Sequence, residues 1–348
     1  MENYFCFIKK YKVILLLFIV IILFSYSISQ TIVLYKIADY MDTKGLFTQE
    51  EVVLKSKLNL SIKDNSKSYA LKKLVKFYDT QKEYKKAIVL YEDFLEQGKW
   101  QILNRIVLNE PNINEAGVYA DLAELYYKDK QYTKAITFYH NALKLKNAAS
   151  KSVPNSYIYD EAENYNGLVY TYLALNENEK AKTNLNKSFA IIKTLPYNAL
   201  QTKFSTYLAA SDYYLKTKDY TKAEYYANKL FLNIPSSTLP VASYINYQAF
   251  YLIIANEQMG KIKFQENKYD EAEIFQQKAK NITEEYYGNN SPQTLCAYNN
   301  LLQTLNKTEA NLKYIGYIEN KLLTTGKNFR LFKDKNIDID AIKQFCKN

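Results

Sequence analysis

The chain has 348 residues, 48% of them apolar, and its 46 Lys and Arg against 36 Asp and Glu leave a formal net charge of +10. That is enough apolar material to bury a core and excludes a disordered chain, while 8 Gly and 6 Pro supply too little turn chemistry for a many-stranded sandwich or barrel. The single histidine, His140, and three widely separated cysteines exclude His-rich metal sites, zinc ribbons and dense disulfide scaffolds, so helix is the expected class.

Residues 1–12 form a basic N-terminal segment ending in Lys9, Lys10 and Lys12, and residues 13–24 read VILLLFIVIILF without interruption. Counting on to Leu34 gives 22 uncharged residues, long enough at ~1.5 Å per residue to cross a ~30 Å hydrocarbon core. Residues 13–34 therefore read as a transmembrane anchor or a signal peptide. The anchor takes precedence because apolar character continues through Ile32, Val33 and Leu34; Ser27-Ile-Ser29 supplies the small-x-small cleavage site of the alternative. Three lysines precede the run and Lys36 alone follows closely, which places the N-terminus in the cytoplasm and the remainder outside it. The alternative location is secreted or periplasmic.

After a connector at 35–67, expected to be helical, a phrase recurs. Its clearest copy, residues 118–146, sets Tyr119, Leu122, Ala123 and Tyr126 on one helix and Tyr132, Ala135, Tyr139 and Ala142 on the next. Anchoring on the second-helix alanine gives five copies, at Ala87, Ala135, Ala181, Ala223 and Ala272. Nine residues before the anchor stand Tyr78, Tyr126, Tyr172 and Tyr214, with Lys263 as the exception; three before stand Tyr84, Tyr132, Tyr220 and Tyr269, with Asn178 as the exception. With 35 Tyr in the chain, chance supplies about half a Tyr per column of five, so the columns are specific. The pattern resembles the tetratricopeptide repeat, W-x2-L-G-x2-Y, then A-x3-F, then P. This resemblance implies an all-α superhelical solenoid over residues 68–323, with five copies and a degenerate sixth, preceded by the transmembrane or signal helix.

Anchors lie 48, 46, 42 and 49 residues apart, more than the ~34 of the standard repeat; segments 150–161 and 236–243, carrying Pro154 and Pro240, are read as the insertions that absorb the excess. Copy three has Leu185, and copy five Gln276, where the second-helix aromatic is expected. Gly288 is read as a helix stop, Ser291 as an N-cap and Pro292 as a first-turn residue. The phrase from Gly288 to Pro292, followed by Asn299-Asn300-Leu301, is similar to the kinesin-light-chain-like variety of repeat, with Ser291 where that variety usually has His. Residues 324–348 are read as a polar or capping segment with a helix from about Asp338.

No Walker loop, Gly-rich dinucleotide turn, HExxH or nucleophile elbow is present, so no catalytic residue, metal ligand or cofactor is assigned and the chain is read as a non-enzyme; a repeat-scaffolded enzyme is the lesser alternative. Asp338-Ile-Asp340 reads as a solvated helix start and His140 as an exposed or core-edge residue.

The resemblance implies a concave groove lined by first-helix positions 2, 5, 9 and 12, whose spacing keeps them on one face. Copy by copy this nominates Lys72 and Lys76; Glu124 and Tyr127 with neighbouring Lys128; Asn166, Tyr170 and Leu173; Asp212 and Leu215 with Lys216; Lys261 and Phe264. Aromatic and cationic groups together suit an extended peptide, so the expected partner is a protein or peptide segment. A small-molecule substrate is not expected. Lys72 and Lys76 with Glu124 do not reproduce the Lys/Asn carboxylate clamp of some family members.

Residues 54–86 carry ten Lys against Asp64, Asp79 and Glu83; solvated helix lysines are the first reading and anionic headgroups the second, and nucleic acid is not expected because no reading motif accompanies the charge. Cys296 is read as a free buried thiol, with pairing to Cys346 as the alternative.

Overall fold

The computed structural model describes residues 47–60, 64–96, 113–150, 158–196, 199–234, 242–308, 312–327 and 338–347. All regular structure among them is helical: α1 Phe47–Leu60, α2 Asp64–Thr80, α3 Tyr84–Glu96, α4 Ile113–Lys128, α5 Tyr132–Ser150, α6 Ile158–Ala174, α7 Asn178–Thr194, α8 Leu200–Lys216, α9 Tyr220–Leu232, α10 Ala242–Gln265, α11 Tyr269–Tyr287, α12 Pro292–Leu305, α13 Leu312–Gly326 and α14 Ile339–Lys347. The chain divides into two units, residues 1–77 and 78–348. In the first, α1 buries Leu54 and the start of α2 buries Ala70, Leu71 and Leu74. The anchor or signal reading of residues 13–34 and the insertion prolines Pro154 and Pro240 lie outside the described residues. Among those described, no helix is long and apolar enough to cross a membrane.

The repeat register is written into the backbone. Among the described residues, five non-glycine residues adopt positive φ, from 56° to 62°: Lys82, Lys130, Asn176, Lys218 and Asn267. Each stands five residues before the anchoring alanine of its copy. The amide after it bonds back to the column-tyrosine carbonyl, as Gln131 N to Tyr126 O at 2.8 Å and Asp219 N to Tyr214 O at 2.9 Å, and its own amide reaches Tyr127 O or Leu215 O. This is a Schellman ending, which satisfies the last carbonyls of the first helix while reversing the chain. The next helix starts at once: Ala135 N already bonds Gln131 O at 3.0 Å. Copies with different side chains thus share one hairpin because its hydrogen bonds are made by the backbone.

Packing explains the side-chain columns. All five anchor alanines are fully buried, as close approach of two helices demands. The column nine residues earlier reaches back to the second helix of the preceding copy: the Tyr126 hydroxyl donates to Glu92, Lys182 Nζ donates to the Tyr214 hydroxyl at 2.5 Å, and Lys263, the non-Tyr exception, pairs with Glu224 at 2.9 Å. Lys263 is buried, and Glu271 at 3.2 Å joins in compensating it. Between copies two and three, Tyr139 lies against Gly167 so closely that a Cβ there would stand 2.2 Å from the ring. The first helices α4, α6, α8 and α10 touch one another in sequence, forming one layer.

At the C-terminal end, α11 stops at Gly288 with φ 76°. The Ser291 side chain accepts from Thr294 N at 3.0 Å, and Pro292 occupies the first turn of α12, as the sequence predicts. The Asp338 carboxylate likewise accepts from Ala341 N at the start of α14. The free-thiol reading of Cys296 is corrected: Cys296 and Cys346 form a disulfide with Cα atoms 5.2 Å apart. The two cysteines meet because α14, which buries Ile342 and Phe345, packs on α12. Its far side meets the first hairpin, where Lys82 donates to the Phe345 carbonyl and lies 4.2 Å from the centre of that ring.

Candidate functional site: the face of the first helices

The layer of first helices carries three cavities. The first, about 510 Å³, is lined by Tyr127 of α4, Tyr170 and Leu173 of α6, Asp212, Leu215 and Lys216 of α8, and Lys261 of α10, together with Ala174, Lys218, Tyr220 and Gln265. Seven of the thirteen residues nominated from the repeat spacing therefore meet in one place. A second cavity of about 550 Å³ shares Asp212, Lys261 and Gln265 with it and adds Phe264, Glu257, Gln276 and Asn299. A third, about 460 Å³, lies between Glu163, Ser205, Phe204, Phe250, Tyr251 and Tyr286, and shares Leu208 and Ile254 with the second. The second cavity thus has walls in common with both of the others.

Aromatic rings form its apolar part. Tyr127 and Tyr170 stand with centroids 6.4 Å apart, and Tyr127 also meets Tyr132 at 5.9 Å. Burial pushes the Tyr127 hydroxyl up to about 12, with Asp212 adding to the effect. Tyr170 is raised further by burial, with Asp212 and Tyr127 contributing. Both phenols stay protonated and can donate hydrogen bonds at neutral pH. Phe204 and Tyr251 pack at 4.6 Å in the third cavity.

The charges are less available than their sequence positions suggest. Lys128 pairs with Asp79 at 2.8 Å and with Glu124 at 2.7 Å; its ammonium is desolvated, and these two carboxylates outweigh that to hold its pKa above the ordinary lysine value. Lys261 pairs with Asp212 at 2.7 Å, and Asp212 holds its pKa up in the same way. Lys216 is exposed at the groove edge. Asn166 is only 2% exposed; its amide nitrogen donates to Ser205 Oγ at 3.1 Å and Thr206 Oγ1 at 3.2 Å, while its Oδ1 is buried without a hydrogen-bond partner. Lys72 and Lys76 are exposed on α2 in the other unit.

Two groove carboxyls went unnominated, although the same 2-5-9-12 spacing, completed in copies three and five, selects them. Glu163 accepts from Ser205 Oγ at 2.7 Å, and burial pushes its pKa up to about 7 against that hydrogen bond. Burial also pushes Glu257 up to about 7, with Lys261 pulling the other way. They sit on different helices, α6 and α10. Among the described residues no three His, Cys, Asp or Glu side chains come together as a metal site.

Two family models, each described as tetratricopeptide repeat, match residues 116–148 and 251–310. The first covers the α4–α5 hairpin and the second spans α10, α11 and α12. These two stretches of the chain carry tetratricopeptide repeats. Among solved structures it is similar to a tetratricopeptide repeat protein from Parabacteroides merdae at 14% identity, covering 91% of this chain and 97% of that one, with a TM-score of 0.43. It is also similar to BtubC (BKLC) from P. vanneervenii at 14% identity, covering 84% and 94%, with a TM-score of 0.35, and to the TPR2AB domain of yeast Sti1 in its pHSP90 complex at 13% identity, covering 92% and 98%, with a TM-score of 0.28. At these TM-scores the superpositions carry no weight for fold or partner. No curated protein matches the chain. The repeats themselves point to a protein-protein interaction scaffold.

Proposed function

We propose that the chain is a membrane-anchored, extracytoplasmic scaffold that holds an extended segment of a partner protein in the groove of its first helices. The observation that carries the binding reading is the convergence of Tyr127, Tyr170, Leu173, Asp212, Leu215, Lys216 and Lys261 on one cavity. Four successive first helices supply them, so the cavity runs across the repeats, as an extended ligand requires. Tyrosine gives large contact area for little lost side-chain freedom, and an open, elongated groove suits a chain better than a small molecule. We read the protein as a binding module and not an enzyme, since Glu163 and Glu257 line different cavities and no metal-ligand cluster stands beside either among the described residues.

Two observations support the location. Residues 13–34 are an uncharged apolar run preceded by three lysines. The Cys296–Cys346 disulfide suits an oxidising compartment outside the cytoplasm. Protease added to intact, wall-stripped cells is expected to digest the repeats; protection until lysis would reverse the topology. N-terminal sequencing of the mature chain separates the anchor from the secreted, signal-cleaved alternative for which Ser27-Ile-Ser29 speaks.

The binding reading is tested by placing a photo-crosslinking amino acid at Lys216 in the full chain, in its native membrane, and identifying the captured protein. Tyr127→Ala with Tyr170→Ala is expected to abolish the adduct and speed dissociation of the isolated partner, with helicity and melting compared in parallel. Undiminished capture by the folded double mutant would move the site off this groove.

A further inference from the structure

The C-terminal helix α14 is attached in two places that lie far apart in the sequence. Cys346 is bonded to Cys296 on α12, 50 residues earlier. Its neighbour Phe345 offers its carbonyl to Lys82 Nζ, and the same ammonium lies 4.2 Å from the centre of the Phe345 ring. Lys82 is the positive-φ residue of the first hairpin. A helix of nine residues thus joins the sixth copy to the first hairpin. Cys346 also stands in the wall of the cavity of about 550 Å³, beside Asn299, Asn300 and Gln303 of α12.

Without the disulfide, α14 has little to hold it. Its nine residues fall short of the roughly 12 that a helix needs to persist by itself in water, and the large apolar side chains it buries are Ile342 and Phe345. Its Lys343–Asp340 pair is exposed and internal to the helix, so it anchors α14 to nothing else. The Lys82 contact carries an opposing cost: burial, with Lys128 adding to it, lowers that ammonium to about 8 although Asp79 pulls the other way. The covalent bond therefore decides whether α14 stays in place, because it keeps the helix at high effective concentration beside α12. Cys296 and Cys346 are half-buried and not sealed off, so a small thiol can reach the bond.

We propose that α14 is a redox latch: with the disulfide closed it ties α12 to the first hairpin and walls the cavity, and with both cysteines reduced it detaches and opens that side of the cavity. Opening is thiol–disulfide exchange with a dithiol. One thiolate of the dithiol attacks either sulfur, forming a mixed disulfide and releasing the other cysteine as a thiolate, which takes up a proton. The second thiol of the dithiol then displaces the remaining cysteine. Two electrons and two protons pass to the chain, and the dithiol leaves as a disulfide. Closure is the reverse exchange with a disulfide donor. In an oxidising compartment the latch rests closed, whereas a newly made chain, its thiols still free, presents the cavity open. The inference concerns how the helix is held, so it stands whether or not the groove takes a peptide.

The test uses the full-length chain in detergent, with ketone-bearing amino acids at the exposed Lys85 of α3 and Gln344 of α14 carrying a fluorescent donor and acceptor that reduction leaves in place. Dithiothreitol is expected to lower energy transfer between them by about twofold or more and to speed amide exchange in α14 by about tenfold or more, while exchange in α4 and α5 stays within about twofold. Cys346→Ser is expected to show both changes without reductant. Oxidised glutathione is expected to restore the closed signals in the wild-type chain and not in the variant. Lys82→Met, kept oxidised, is expected to retain α14 protection; its loss there would assign the helix to the lysine contact and overturn the latch. Transfer and protection that survive in both the reduced chain and Cys346→Ser would make α14 a fixed cap. Exchange that quickens equally in α4 and α5 would make the disulfide a staple of the whole array. Either result overturns the latch, and neither bears on the groove reading.

Discussion

Lys261 on α10 and Asp212 on α8 form an ion pair of 2.7 Å across the face of the first helices, beside Glu257. The pair ties neighbouring repeats together, and Lys261 also acts on Glu257 against the burial that raises its pKa. It also shows why a lysine in the right repeat position need not be available to a partner.

The same distinction separates two other lysines. Lys128 is held by Asp79 and Glu124, with about a quarter of its side chain exposed, whereas Lys216 is exposed at the groove edge. Lys128→Glu is expected to cost about 1 to 2 kcal/mol of stability, because it replaces attraction to two carboxylates by repulsion. Lys216→Glu is expected to leave the melting temperature unchanged and to alter the association rate and its salt dependence. Thermal melts and surface plasmon resonance at two salt concentrations check both; a destabilised Lys216→Glu with a stable Lys128→Glu would contradict the assignment.

Gly167 and Gly117 offer a matched pair. A Cβ at Gly167 would stand 2.2 Å from the Tyr139 ring, while one at Gly117, also inside a first helix, meets nothing within 4 Å. Gly167→Ala is expected to cost about 1 to 3 kcal/mol by forcing α5 and α6 apart. Gly117→Ala should stabilise by roughly 0.5 to 1 kcal/mol through helix propensity alone. Equal melting temperatures for the two variants would argue against the contact between copies two and three.

The hairpin residue Lys130 adopts φ 62° and is exposed, so its side chain tests the backbone alone. Lys130→Val is expected to destabilise by about 1 to 2 kcal/mol, whereas Lys130→Gly should stay within about 0.5 kcal/mol of wild type, relief of strain offsetting the added freedom of the unfolded chain. Chemical denaturation of the three proteins measures this ordering.

Glu163 and Glu257 give stability a pH dependence of definite sign. Both carboxyls are raised to about 7 in the fold, so between their ordinary range near 4.5 and pH 7 the folded chain holds protons that the unfolded chain has released. Their contribution to stability therefore falls as pH rises through that window. Glu163→Gln and Glu257→Gln are each expected to raise the melting temperature by roughly 2 °C or more at pH 8 and to change it little at pH 4.5. A gain that is the same at both pH values would show that the carboxyl charge is not its cause.

How much of this was legible beforehand follows from the range of the forces involved. The column of tyrosines and the anchor alanines fix the helical hairpin, because its turn is closed by backbone bonds between residues four and five apart, such as Tyr126 and Gln131. The cap at Ser291 and the stop at Gly288 are local for the same reason. The face of each first helix also follows from spacing along a single helix, which is why Tyr127, Tyr170, Asp212 and Lys261 line one cavity. Tertiary structure alone decided which of these side chains remain available. The Asn166 amide nitrogen is engaged by Ser205 and Thr206, and Lys128 by Asp79, through contacts between helices that no periodicity reports. The same holds for Cys296 and Cys346, 50 residues apart, which are brought together only when α14 packs on α12. It holds too for Gln276: the sequence marks it as a departure from the repeat, and only the packing of α10 with α11 shows it buried over Gly260. Sequence determined the hairpin and its faces through local backbone bonding; burial and ion pairing between distant segments decided the chemistry each face presents.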